Sequence, residues 1–211
     1  MKILTSIFAA AFAACAFAAP AGAHPHVWVT VTSEIVYDAK GAATGVRHSW
    51  QFDDMYSTFA LEGLQSKTKG VFTREELAPL AQVNITSLKD SDFFTYAKAG
   101  GKDVEFGDAT DYWLEHSKEA LTLKFTLPFK KPLAEKSFTV EVYDPSYFVD
   151  FGFAEKNAVA LVGAPPQCKA AVEKPRKTGA APGQQLMSDA EAMALSNLGL
   201  GFASRISVKC Q

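Results

Sequence analysis

HPHVWVTVTSEIVY, residues 24–37, is the stretch from which the architecture can be worked out. Val, Ile and Thr dominate it, and apolar and polar side chains alternate, which is the period of an extended strand with one buried face. Asp38-Ala39-Lys40-Gly41 follows as a turn. VRHSWQF at 46–52 then sets Val46, Trp50 and Phe52 on one face, which fits a returning strand. The two segments predict an antiparallel hairpin.

The pattern changes at Asp53. Met55, Phe59, Leu61 and Leu64 recur at near-helical spacing, and Thr73-Arg74-Glu75-Glu76 is a T-x-x-E capping box opening a second helix toward about Leu88. A helical insertion at about 53–90 is therefore expected. Short extended runs follow at 92–98, 103–107, 110–117, 120–128 and 137–144, with Gly100-Gly101 and the prolines Pro128 and Pro132 marking connections. The Pro-, Gly- and Lys-rich stretch at about 173–187 reads as a mobile loop, Ser188-Asp189-Ala190-Glu191 as the cap of a short helix to about 198, and 203–210 as a closing strand. The predicted class is α+β: an antiparallel β-sandwich-like domain with an inserted helical hairpin and a short C-terminal helix.

Upstream of the first strand, Lys2 supplies a charged start, residues 3–19 an Ala-rich apolar stretch, and Ala21-Gly22-Ala23 an A-x-A cleavage site. The small-residue site and the lack of a stop-transfer flank argue for a signal peptide at 1–23 rather than a membrane span. Cys15 lacks the aliphatic residue expected three positions before a lipidated cysteine, so it leaves with the leader. The expected mature chain, 24–211, is a single periplasmic domain that does not span the membrane. The leader holds Lys2 and no acid, so the mature balance is one unit more negative than the −2 of the whole 211-residue chain. With a pI near 6.1 and no basic stripe, nucleic-acid binding is excluded.

Cys168 and Cys210 remain as an even pair in an exported chain, and a bridge between them is predicted. With about 41 intervening residues it contributes roughly 3–4 kcal/mol in the chain-entropy description.

Processing would leave His24-Pro25-His26 with a free α-amine, two imidazoles within three residues. An N-terminal X-x-His motif ordinarily holds Cu(II) or Ni(II) through deprotonated backbone amides, but Pro25 has no N–H to lose. Two arrangements stay open: chelation by the amine and ring of His24 completed by another imidazole, or a tetrahedral or open site built from both rings and carboxylates. An extended segment sets His24 and His26 on one face. His48, on the returning strand, and His116, flanked by Glu115 and Ser117, are weaker candidate ligands. Asp53 and Asp54 end the second strand, where an acid can cap the following helix or reach a metal. Asp144, before Pro145, can form an Asx-turn or sit in the aromatic-rich surroundings of a ligand.

The helix–loop–helix outline places Gly70 and Glu76 where a calcium loop has its glycine and last acid. Gln65, Lys67 and Lys69 stand where calcium requires carboxylate oxygens, so a capped hairpin is the reading kept.

HPHVWV at 24–29, WQFDD at 50–54, the helical pair and VYDPSYFVDF at 142–151 before a paired cysteine together resemble a bacterial family of exported proteins of unknown function. Members are described as the periplasmic component of an uncharacterised ABC-type transport system, some encoded beside nickel/cobalt-type permeases. The resemblance implies zinc acquisition with a partner permease. Residue by residue, it points to His24, His26, Asp53 and Asp144. Lys67 and Lys69 depart from the acidic loop of many relatives, and the C-terminal extension is longer than the family pattern.

The expected function is non-enzymatic: binding zinc, or less readily nickel, cobalt or copper, and capturing or delivering it for an integral-membrane metal permease. No G-x-S-x-G or H-E-x-x-H pattern supports a hydrolase. The alternatives are a copper-handling protein or copper enzyme built on the N-terminal histidine, and a permease adaptor whose histidines are incidental.

Overall fold

The computed structural model describes residues 25–118, 120–174 and 198–211. The signal peptide expected at 1–23, His24, the loop expected at 173–187 beyond Lys174, and the helix expected at 188–198 up to its last residue lie outside the described residues.

β1 (Val27–Tyr37) has the alternation its sequence requires, with Val27, Val29, Val31, Ser33, Ile35 and Tyr37 buried. β2 (Ala43–Phe52) returns antiparallel, setting Phe52 opposite Val29 and Val46 opposite Ile35. Asp38 makes the turn between them by accepting the N–H groups of Lys40 and Ala42 on Oδ1. The insertion consists of α1 (Asp54–Leu61) and α2 (Arg74–Lys89). Then come a 3-10 turn (Asp92–Phe94), β3 (Thr95–Ala99), β4 (Lys102–Val104), β5 (Thr110–Ser117), β6 (Ala120–Leu133) and β7 (Ser137–Val142). β8 (Val149–Phe153), β9 (Val159–Val162), β10 (Cys168–Glu173), a second 3-10 turn (Leu198–Phe202) and β11 (Ser204–Cys210) complete the order.

Two sheets form, β5-β6-β2-β1-β8 with β9 also on β1, and β10-β11-β7-β3-β4. This is the expected α+β sandwich-like class. Both coverings share one face of the first sheet. At one end Ile35, Val46 and Phe129 pack with Val140, Ile206 and Val208 of the second sheet. At the other end Val29, Val31, Leu121 and Leu123 pack with Leu77, Ala81 and Ile85 of α2. The opposite face stays open, with Trp28, Thr30, Arg47 and Gln51 exposed.

Three departures have physical causes. Residues 92–94, expected as strand, form a left-handed turn with φ of 50°, 51° and 45°. The turn buries Phe93 near Phe125, and the Thr95 hydroxyl donates to the Phe93 carbonyl at 2.8 Å. Pro128 and Pro132, expected to mark a connection, lie within β6. There Gly45 opposes Pro128 across a register shift, and a Cβ on Gly45 would come within 2.7 Å of the Leu127 carbonyl oxygen. The Pro128 carbonyl accepts from Gly107, so the strand continues without the proline N–H. Finally, β8, β9 and β10 carry no clear sequence signal, and β8 and β9 pair parallel to β1, setting Val149 beside Val27 and Val159 beside Ser33.

Candidate functional site

The start of β1 is held from two sides. His26 is exposed, donates its N–H to the Phe148 carbonyl at 2.9 Å, and lays its ring 4.7 Å from the Phe148 ring. Trp28 donates its N–H to Asp53 Oδ2 at 2.8 Å, and its carbonyl accepts from the Asp53 N–H at 2.9 Å. Asp53 Oδ1 meanwhile accepts from Tyr56 as the N-cap of α1. One carboxylate thus closes the helix and ties it to the strand.

Asp144 does the equivalent on the other side. It is buried, and Oδ1 accepts from the N–H and hydroxyl of Ser146 while Oδ2 accepts from Val149 at 3.0 Å. This Asx-type turn aims the Phe148 carbonyl at the N–H groups of His26 and Val27. The C-terminal 3-10 turn closes over it. Gly199 donates to the Pro145 carbonyl at 3.1 Å, and Phe202 stacks on Tyr147 with centroids 4.3 Å apart. A Cβ on Gly199 would fall 1.7 Å from the Asp144 carbonyl oxygen, so only glycine fits.

The other candidate histidines do not join His26. His48 is buried between the sheets, its Nδ1 2.9 Å from Ser33 Oγ and its Nε2 3.3 Å from Thr95 Oγ1. Because the Thr95 hydroxyl already donates to Phe93, it accepts from Nε2–H, which leaves Nδ1 to accept from Ser33. Burial pushes the imidazole down to about 3, so it stays neutral. Ser33 is roughly 23 Å along the chain from His26 at about 3.3 Å per residue. His116 is half-buried on β5, edge-on to Phe72, and β5 lies three strand spacings from β1, roughly 14 Å. Asp54 is exposed in the first turn of α1. Among the described residues, no group of three or more His, Cys, Asp or Glu could hold a metal.

Sequence reasoning marked the aromatic- and acid-rich block at 142–151 but took only Asp144 from it as a candidate, leaving Asp150 without a role. Asp150 lies on β8 opposite Trp28, half-buried, and among the described residues no hydrogen bond or ion pair reaches its carboxylate. Burial holds its carboxyl above the ordinary value. Trp28 and Phe148 are exposed beside it. The signal lay in the parallel β1–β8 pairing, which no local pattern announces.

The calcium-like loop is occupied by its own helix cap. Glu76 accepts from Lys67 N–H at 2.8 Å and Thr73 N–H at 2.9 Å. Cys168 and Cys210 are joined, opposite one another on β10 and β11. No helix among the described residues is long and apolar enough to cross a membrane.

The sequence profile of a family described as "Protein of unknown function (DUF1007)" matches residues 9–210. An uncharacterized protein of Haemophilus influenzae is 22% identical over 200 residues, covering 90% of this chain and 92% of that protein. An uncharacterized 15.5 kDa protein of Spirochaeta aurantia is 29% identical over 93 residues, covering 44% of this chain and 66% of that one.

Proposed function

The chain belongs to the family described as Protein of unknown function (DUF1007), and from that premise we propose that the exported, processed protein binds a divalent metal, zinc first, and captures or delivers it for an integral-membrane transporter. The observation that carries the reading is the presentation of His26. Its ring stands exposed at the very start of β1, on backbone fixed by the Asp53 and Asp144 hydrogen bonds. A cargo site needs access from solvent together with a rigid mount, and this terminus has both. Asp53 and Asp144 serve it by holding the backbone. The α-amine and ring of His24 would supply further nitrogen donors after cleavage. The disulfide fits an oxidising compartment and with it the periplasm.

Isothermal titration of protein beginning at His24 with Zn(II), Ni(II) and Cu(II), beside a form with one extra N-terminal residue, tests this. Tight one-to-one binding that is lost in His26→Ala supports the reading. Binding that also weakens with the extension identifies the amine as a ligand. The absence of tight binding by any form rejects the reading.

The exposed Trp28 and Phe148, at 47% and 46% of full accessibility, favour one second reading, a transporter adaptor in which the histidines are incidental. An adaptor retains its partner after His26→Ala, whereas a metal carrier loses its cargo.

A further inference from the structure

We infer that the helical insertion docks the protein on an anionic lipid surface, with Met55, Phe59 and Leu64 entering the interface and Lys67 and Lys69 meeting its phosphate headgroups. This goes beyond the metal-binding reading and does not depend on it.

α1 carries more apolar surface than its packing uses. Tyr56, Ala60 and Leu61 pack against the core, and the hydroxyl of the buried Ser57 accepts the Leu121 N–H at 2.9 Å, which fixes the inward face. Met55 and Phe59, one turn apart, are left outside at 65% and 71% exposure. A helix face turned to water ordinarily carries polar residues. Of the nine large apolar side chains exposed among the described residues, four fall between positions 55 and 71: Met55, Phe59, Leu64 and Val71. Exposed apolar residues scattered singly need no explanation, whereas a gathered set marks an interaction surface.

The charges beside this surface identify what covers it. Lys67 and Lys69 border the same open groove as Met55, Phe59 and Leu64. Their loop is held in shape, because Val71 donates its N–H to the Thr68 carbonyl at 2.9 Å and Lys67 donates its N–H to Glu76 at 2.8 Å. Among the described residues neither lysine forms an ion pair. Glu76 lies close enough to feel the Lys67 charge, but its oxygens are engaged by the backbone N–H groups of Lys67 and Thr73. Glu62 is the acid that lines the groove. The whole chain carries −2, so attraction to an anionic surface has to come from this local pair. Protein interfaces are depleted in lysine, whereas a lysine stem lying along apolar surface with its ammonium among phosphates is the arrangement of membrane-surface segments. Acyl chains beneath anionic headgroups therefore match both halves of the groove.

Co-sedimentation of the processed protein with vesicles of phosphatidylcholine alone, and of phosphatidylcholine mixed with phosphatidylglycerol, tests this at low and high salt. The expected result is binding to the phosphatidylglycerol vesicles that weakens with salt. Lys67→Gln and Lys69→Gln should each lower the affinity roughly 5-fold, Phe59→Ser roughly 10-fold or more, and Glu62→Gln should raise it. All four positions are exposed, and circular dichroism verifies that the variants fold. In the unsubstituted protein, lipid spin-labelled at the headgroup should broaden the amide resonances of residues 55–71 and leave those of Thr30 and Arg47 on the open sheet face sharp. Absence of binding to phosphatidylglycerol vesicles overturns the proposal, as does binding that spares residues 55–71 or is indifferent to Phe59→Ser. Dimerisation that is lost in Phe59→Ser, by a protein that does not bind vesicles, assigns the groove to a second copy of the chain and overturns it as well.

Discussion

His48 illustrates how one buried side chain can join two sheets. Ser33 on β1 and Thr95 on β3 each engage one of its ring nitrogens, and the Thr95 hydroxyl passes the connection to the left-handed turn at Phe93. In the unfolded chain His48 takes up a proton near its ordinary 6.5, whereas in the folded state it resists until about 3. Between those values the unfolded chain holds more protons, so acid favours it. His48 therefore favours folding most above 6.5, and that advantage declines as pH falls toward 3. His48→Gln should cost about 2–3 kcal/mol at neutral pH through lost packing and imperfectly paired hydroxyls. Urea unfolding midpoints across that pH range should fall less steeply for the variant than for the unsubstituted protein. At Gly199 the expectation is steric. Gly199→Ala must lift the C-terminal 3-10 turn off Asp144 and break the Tyr147–Phe202 stack, at a cost of about 1–3 kcal/mol measurable by chemical denaturation. Neither role is visible in the sequence, where His48 reads as a weaker candidate ligand on the returning strand and Gly199 stands out in no way.

The helical insertion was the most legible element, because its signals are local. Thr73 and Glu76 satisfy each other's backbone groups within four residues, and Asp53 caps α1 at the junction with β2. Thr73→Ala should lower stability by about 1 kcal/mol, with hydrogen exchange increasing first in the opening turn of α2. Asp53→Ala should cost about 1–2 kcal/mol, since it removes the α1 cap along with the tie to Trp28. It should also weaken Zn(II) binding without abolishing it, a split between stability and affinity that calorimetry resolves. The elements that escaped the sequence are those whose partners are distant. β8 and β9 are short, and their identity as strands comes from hydrogen bonding to β1 more than a hundred residues earlier. β6 runs through Pro128 because Gly45 and Gly107 accommodate it, and neither glycine is a neighbour in sequence.

Taken as one body, the molecule closes its second sheet at the chain's end. β11 lies between β7 and β10, and the Cys168–Cys210 bridge fastens its last residues to β10. Cys168→Ser with Cys210→Ser should lower stability by roughly 3–4 kcal/mol. Thermal unfolding with and without reductant checks this, and the double variant should no longer respond to reductant. The same arrangement connects stability to the candidate site, since β11 follows the 3-10 turn that covers the Asp144 turn.

Period-two alternation at 27–37, the capping box at Thr73 and the even cysteine pair announced the first strand, the second helix and the bridge, because each is written in residues close together or in a count. The sequence also supplied the metal-seeking terminus as a chemical possibility. Tertiary structure decided which acids stand where: Asp53 and Asp144 were drawn into backbone hydrogen bonds, and Asp150 was brought beside Trp28 on the open face. The reason is physical. Side-chain chemistry is local, but a carboxylate's role depends on which donors the fold sets around it, and a parallel strand pair is formed by long-range contacts that leave no periodic mark in the chain.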